Sequence, residues 1–406
     1  MLLIHLLPFN RDNYPWCVDI ISVNPENAEI LSQSRIVVTP PAGICPSPTY
    51  AVSFDCDCIE AVRNTGLNPA AAAERLAMII KNHERLVFSG KRAYLMFREL
   101  LCNLQMRNVL KNKRITSFKS IVHAAVSLKG LYYPQAWNNI KKLGAETENT
   151  DNRYIRSMYA VFKDLYIKAP KLLSYFVNKS LVLDTAESSG KIILGIGEDS
   201  FFIFTPVMVT SEYVLGISIV KEIKPLVLPV NGAVCYTVSS AINTSIAREL
   251  ETDFEQIKKL HAESSAYLRT DSAEYLMLMD NLESSIKNES EDVLASDEYR
   301  STESMFAELS EWFEKDRDVL SADEVCAHIA RASGRLRTAM MDYLYSEDYP
   351  LPLGYDEVYR DIVSARISNA RDNMVAELEY ATAQAEKNSN QQSLQRLANL
   401  YRYLSE

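Results

Sequence analysis

Apolar residues at the start of the chain fall in blocks too short for helices and too dense for loops. Leu2–Leu7, Trp16–Val23 and Ile30–Thr39 are each bounded by Pro, Asn or Asp, which predicts three strands. A Pro-rich connection follows at Pro40, Pro41, Pro46 and Pro48, and Pro69–Lys81 then reads as a helix with Pro in its first turn. Leu86–Ser89 reads as a short strand. Lys91–Asn112 reads as a helix with Leu95, Leu100, Leu101, Leu104 and Val109 as its apolar positions. Asn152–Val177 is a long helical pattern interrupted at Pro170. Strands followed by alternating helices and strands predict an α/β or α+β sheet covered by helices.

The pattern changes near residue 180. Leu181–Leu183, Lys191–Ile196, Phe201–Val209, Tyr213–Val220, Leu226–Val230 and Ala233–Ser239 are short β-rich runs separated by turn residues. Asn231-Gly232 between two such runs predicts a hairpin, and the spacing predicts a small barrel or sandwich. From about Thr244 the periodicity is helical: Ser245–Leu268, Ser272–Lys287, Glu303–Phe313, Ala322–Leu344, Asp356–Gln384 and Gln392–Leu404. Ser321 followed by Asp323 and Glu324 predicts a helix cap with an acidic first turn. Ser284–Ser301 is polar and acidic and reads as a linker. These shifts divide the chain into residues 1–178, a small β unit at 179–243 with the next helices as a candidate extension, and a helical unit at 244–406.

Composition narrows the class. The 406 residues are 47% hydrophobic and 24% charged, a globular balance, and 12 Gly with 15 Pro exclude collagenous and low-complexity chains. The net charge of -10 is unevenly spread: residues 1–240 carry 26 Lys and Arg against 20 Asp and Glu, and residues 241–406 carry 17 against 33. No run reaches the roughly 18 apolar residues of a spanning helix. Met1–Leu7 is too short for the apolar region of a secretory signal. Seven irregularly spaced cysteines argue against a disulfide framework, and Cys56-Asp57-Cys58 is too tight for a zinc knuckle. The expectation is a soluble intracellular protein, away from membranes and without a cofactor.

The order of parts resembles the exonuclease I family: a DnaQ/RNase-H-like exonuclease domain, a small Src-homology-three-like β domain and a C-terminal helical domain. Asn149–Val177 is similar to the segment that carries that family's last catalytic motif, where the helix ends in Pro, a basic residue and Leu-x-x-Tyr. Here these are Pro170, Lys171, Leu172 and Tyr175. Arg335–Arg360 resembles a helix–Phe-Pro–loop–Tyr segment of the family's helical domain, and Pro46-Ser47-Pro48 sits where the family carries Pro-x-Pro. The resemblance implies a two-metal nuclease in which four carboxylates hold the ions that activate water.

Those carboxylates are missing from the matching positions. The Asp-x-Glu of the first strand, aligned on His5, falls on Leu6 and Pro8. The Asp of the second motif falls on Tyr94 or Leu95, and the His and Asp of the last motif fall on Asn149 and Tyr154. Asp12, Asp55, Asp57 and Asp151 are the nearest alternative acids. Asp151 precedes Tyr154 by about one helical turn, but one carboxylate does not hold two divalent cations, and Lys91 with Arg92 repels them.

Between Arg85 and Lys119 the basic residues include Arg85, Lys91, Arg92, Arg98, Arg107 and Lys111, against one acid, Glu99. The run reads either as a phosphate-tracking surface or as a solvated helix face. Tyr132, Tyr133 and Trp137 read either as base-stacking platforms or as core. Where the family has Arg-x-Arg, this chain has Tyr345-Ser346-Glu347, a reversal that implies weaker capture of phosphate and of the acidic tail of single-strand binding protein, a family partner. His5, His83, His123, His261 and His328 form no metal or triad spacing. Gly195 and Gly197 read as a turn between strands, not a nucleotide loop.

Three readings stand on these residues. The first is a catalytically inactive relative reused as a protein-binding adaptor, structural or regulatory factor. The second is a non-cleaving binder of single-stranded DNA or RNA. The third is a divergent metal-dependent 3'-5' exonuclease.

Overall fold

A computed structural model describes residues 1–10, 14–53, 57–103, 109–110, 113–131, 153–178, 190–209, 213–229, 234–268, 272–273, 275–277, 279–280, 321–332, 334–347, 349–352 and 354–405. Asp12, Asp55, Cys56, Arg107, Lys111, Tyr132, Tyr133, Trp137, Asn149, Asp151 and the reading of a linker at 284–301 lie outside the described residues, as do Leu181–Leu183 and Glu303–Phe313.

The first unit is a five-stranded sheet ordered β3-β2-β1-β4-β5, built from β1 (Leu2–Pro8), β2 (Pro15–Val23), β3 (Ile30–Val37), β4 (Arg85–Phe88) and β5 (Arg114–Ser117). β1 runs antiparallel to β2 and parallel to β4, and β4 runs parallel to β5. All residues of β1 and β2 are buried. Helices on both faces explain why these strands read as continuous apolar runs rather than alternating ones.

Among the described residues of this unit the helices are α1 (Pro48–Ser53), α2 (Cys58–Thr65), α3 (Pro69–Lys81), α4 (Lys91–Asn103), α5 (Phe118–Lys129), α6 (Arg153–Lys168) and α7 (Pro170–Asn178). α3 starts where Asn68 accepts a hydrogen bond from the Ala71 amide and Pro69 takes the first position, which needs no donor. α5 starts at a Ser117 cap and ends at Gly130 with φ +63°, a left-handed turn that glycine takes without a Cβ penalty. Alternation along β1 splits its contacts. Leu2, Ile4 and Leu6 join a cluster with Leu76, Ile80 and Phe97 of α3 and α4. Leu3 joins Phe118, Met158, Phe162 and Leu173 of α5, α6 and α7 on the other face.

The β unit has strands β6 (Ile193–Ile196), β7 (Phe201–Val209), β8 (Tyr213–Ile219), β9 (Ile223–Pro229) and β10 (Cys235–Val238), ordered β10-β6-β7-β8-β9. The hairpin expected at Asn231-Gly232 does not form between its flanking strands. β9 pairs with β8, whereas β10 crosses to the far edge and pairs with β6. The edge of β6 offered unpaired backbone groups, and tertiary pairing overrode the local turn signal.

The helical region begins with α8 (Thr244–Glu249) and α9 (Phe254–Glu263), continued by a 3-10 turn at Ser264–Leu268. The single helix expected over Ser245–Leu268 is broken by Glu251, whose φ is +52°, and restarted by Asp253, which caps the Gln256 amide. The helix expected over Ala322–Leu344 is likewise two, α10 (Ala322–Arg331) and α11 (Gly334–Ser346), separated by extended backbone at Ala332. Ser321 and Glu324 form a full capping box at the start of α10. α12 (Tyr355–Lys387) and α13 (Gln391–Ser405) close the chain.

The 33 residues of α12 span about 50 Å. Near its start Arg366 forms a two-pronged pair with Asp342 (2.8 and 2.9 Å), and Tyr359 donates to the same carboxylate at 2.9 Å. Near its end Ala381 and Ala385, with Leu397 and Leu400 of α13, pack on Leu7, Phe9 and Trp16 of the first sheet. Glu377 accepts a hydrogen bond from Ser47, Asn399 donates to Asp57 at 2.8 Å, and Arg63 lies over the Tyr403 ring at 5.4 Å. Among the described residues no helix is long and apolar enough to cross a membrane, and Cys17, Cys45, Cys58, Cys235 and Cys326 are free thiols.

Candidate functional site

The positions that resemble lost carboxylates sit at the carboxyl end of β1 and on the helices that flank it. Leu6 is 2% exposed and shares a cluster with Tyr94, whose ring meets Phe88 edge-on at 5.4 Å. Pro8 ends the strand beside Pro15, where the ladder stops because neither residue has an N–H to donate. Tyr154 is elsewhere. It stacks on His5 at 5.5 Å and packs against the cluster that contains Leu7. Leu6 and Tyr154 therefore lie on opposite faces of the sheet, because Leu6 points toward α4 while His5 and Leu7 point the other way.

What lies beneath Tyr154 is a polar row across one face of the sheet. His5 is paired in register with Asp19, and Asp19 with Arg35. Arg35 binds Asp19 through Nε at 2.7 Å and Nη2 at 3.0 Å, a charge-assisted fork. On the other side His5 Nδ1 lies 2.7 Å from Ser89 Oγ. His5, Asp19 and Ser89 are all buried. Burial pushes the imidazole from its ordinary 6.5 down to about 3, helped by the positive charges of Lys119 and Arg35, so His5 is neutral. Burial also raises the Asp19 carboxyl, against the opposing pull of Arg35.

This arrangement does not fit a pair of divalent cations. Leu6 and Pro8 offer no donor, Tyr94 is packed in the core, and the Asp19 carboxylate is already held by a guanidinium. Among the described residues no group of three or more His, Cys, Asp or Glu side chains could hold a metal ion. A hydroxyl beside an imidazole has nucleophile chemistry in principle. Here the pair is closed over by the Tyr154 ring, and the nearby carboxylate serves Arg35.

Solved structures share the architecture of this chain. It matches a product-bound exonuclease I at TM-score 0.74, with 12% identity over 99% of this chain and 98% of that chain. It matches E. coli exonuclease I in complex with a dA16 oligonucleotide at TM-score 0.71, with 12% identity over 100% and 99%. It matches an exonuclease I/SSB-Ct complex at TM-score 0.70, with 11% identity over 100% and 99%. The fold is that of exonuclease I. No family model matches the chain, and no curated protein matches it by sequence. At this identity the likeness is one of architecture, and chemistry has to be argued from the residues.

Within the exonuclease I-like fold the basic residues separate. Arg85 is half-buried at the amino end of β4, directly opposite Arg114 of β5. Lys91 and Arg92 are exposed beyond the carboxyl end of that strand, about 10 Å or more away. Arg92 lies over the Tyr50 ring at 5.4 Å and donates to its hydroxyl at 2.8 Å; Arg98 lies over Tyr94 at 6.0 Å. Of the alternative acids, Asp57 caps α2 through the Ile59 and Glu60 amides. Glu347, at the charge-reversed position, accepts a hydrogen bond from Asn68 at the cap of α3.

Two groups of functional-looking residues escaped the sequence. The row Arg35–Asp19–His5–Ser89 had a signal: an Asp inside a nine-residue buried strand demands a partner. The contacts of Glu198, described below, had none, because they join positions about 80 to 110 residues apart.

Proposed function

We propose that the protein is a catalytically inactive, exonuclease I-like protein reused as a protein-binding adaptor, structural or regulatory factor. In this reading residues 1–178 are a degenerate DnaQ-like exonuclease domain, 179–243 a barrel-like β domain and 244–406 an acidic helical domain, in a soluble intracellular protein. One observation carries the reading: Leu6 and Tyr94 stand in an apolar cluster where resemblance calls for metal-binding carboxylates. Two like-charged ions share a small site only when several carboxylates neutralise them. The test is a labelled single strand incubated with Mg²⁺ or Mn²⁺. The expected outcome is an intact strand; mononucleotide release abolished by Asp151→Ala would establish a divergent exonuclease instead.

A second reading, a non-cleaving single-strand binder, is favoured by the exposure of Lys91 and Arg92 and by the oligonucleotide complex of E. coli exonuclease I. It predicts affinity that falls steeply with salt and is lost when Arg92, Arg98 and Lys111 are together changed to Glu.

A further inference from the structure

The turn between β6 and β7, closed by a 2.8 Å bond from the Gly197 amide to the Ser200 carbonyl, projects one carboxylate out of the β domain. Glu198 Oε1 accepts a hydrogen bond from the Lys91 amide at the start of α4, and another at 2.7 Å from the hydroxyl of Ser117, the cap of α5. Lys119 Nζ lies 3.7 Å from Oε2. The Glu198 side chain is only 17% exposed in this seat. Beside it, His123 Nδ1 lies 2.9 Å from the Gly197 carbonyl oxygen, and the imidazole packs on Phe201 at 4.4 Å.

The helices that receive this carboxylate have the wrong charges for their own dipoles. α4 opens with Lys91-Arg92, α5 with Phe118-Lys119, and neither has an acid in its first turn. Positive side chains at the positive ends of two helices are unfavourable unless an anion is supplied. Glu198 supplies it from another domain. Glu198 approaches the backbone closely at Gly90, where a Cβ would stand 2.9 Å from Glu198 Oε1 and 3.2 Å from Lys119 Cδ. The seat lies outside the carboxyl ends of the parallel strands β4 and β5, the place where open α/β sheets present ligands.

We propose that Glu198 is an interdomain latch that fixes the β domain on the exonuclease-like domain at the carboxyl ends of β4 and β5. The contact is local and charge-dependent, so its loss frees the turn and the first turn of α4 without melting the sheet. The inference stands whether or not the catalytic reading holds, because it uses none of the positions that resemble metal ligands.

Hydrogen exchange of the full chain tests it directly, since the Lys91 amide is itself a donor to the latch. Glu198→Ala is expected to speed exchange at Lys91 and in residues 193–209 by about tenfold or more, with the amides of β1 and β2 unchanged. Glu198→Gln, which keeps the acceptor and loses the charge, is expected to fall between. Equal acceleration everywhere, or none at Lys91, would overturn the proposal. If Glu198→Ala does not fold, Lys119→Ala is the reporter: it removes one of the three contacts and is expected to speed exchange in the same two segments alone. Unchanged exchange there would count against the latch.

Discussion

The two faces of β1 differ in what fills them. On one face Leu2, Ile4 and Leu6 are part of a packed apolar layer under α3 and α4. On the other, His5 sits in a polar row with Ser89 on one side and Asp19 and Arg35 on the other, closed by the Tyr154 ring. The apolar face has no donor to give. The polar face pairs Arg35 with Asp19 and His5 with Ser89, and the imidazole is held neutral. Among the described residues neither face presents an open cluster of carboxylates: one carries core and the other a polar row under the Tyr154 ring.

The difference between the faces can be broken in order of effect. Leu6→Asp places an uncompensated carboxylate in the apolar layer and is expected to cost more than about 4 kcal/mol in urea unfolding. A restored nuclease signal with native stability would show that the face is a vacant site rather than core. On the polar face Arg35→Met strands Asp19 and is expected to cost about 3–5 kcal/mol, whereas Asp19→Leu with Arg35→Met is expected to recover most of it. With Asp19→Leu measured alone as well, a double-variant cost equal to the sum of the two single costs would mean that the pair is not coupled.

His5 makes the polar face sensitive to acid. The unfolded chain binds a proton at His5 below pH 6.5, and the folded one does so only near 3. Stability from this group is complete above pH 6.5 and falls on acidification by up to about 1.4 kcal/mol per pH unit. Chemical unfolding of His5→Gln between pH 7 and 4 is expected to show a shallower slope than the parent; an identical slope would place the imidazole in a wetter environment. The smallest effect belongs to neither face. Asp57→Ala removes the α2 cap and the bond from Asn399, and a loss of about 1 kcal/mol is expected by thermal unfolding. A loss within error would mean that the helix end is satisfied by water.

Much of the fold was legible in the chain because its signals are local. β1, β2, α3 and α13 fall within two residues of their sequence-read bounds, and the Ser321 capping box is as its spacing implies. α1, α2, β5 and α5 were not read, since four- to twelve-residue elements among Pro, Cys and basic residues give weak periodicity. The Asn231-Gly232 hairpin failed because the partner of β10 is fixed by an edge some forty residues earlier in the chain. The site was half legible. The aligned motifs singled out Leu6, Pro8, Tyr94 and Tyr154, but which face each meets depends on the parity of β1. That parity separates Leu6 from Tyr154.

The central claim, that this fold no longer binds the catalytic metal pair, is tested most directly by thermal unfolding with increasing Mn²⁺. The account predicts an unchanged melting temperature, because among the described residues no carboxylate set prefers the ion in the folded state. A ligand at a hundred times its dissociation constant stabilises by about 2.7 kcal/mol, so a saturable rise in melting temperature that Asp151→Ala removes would contradict it.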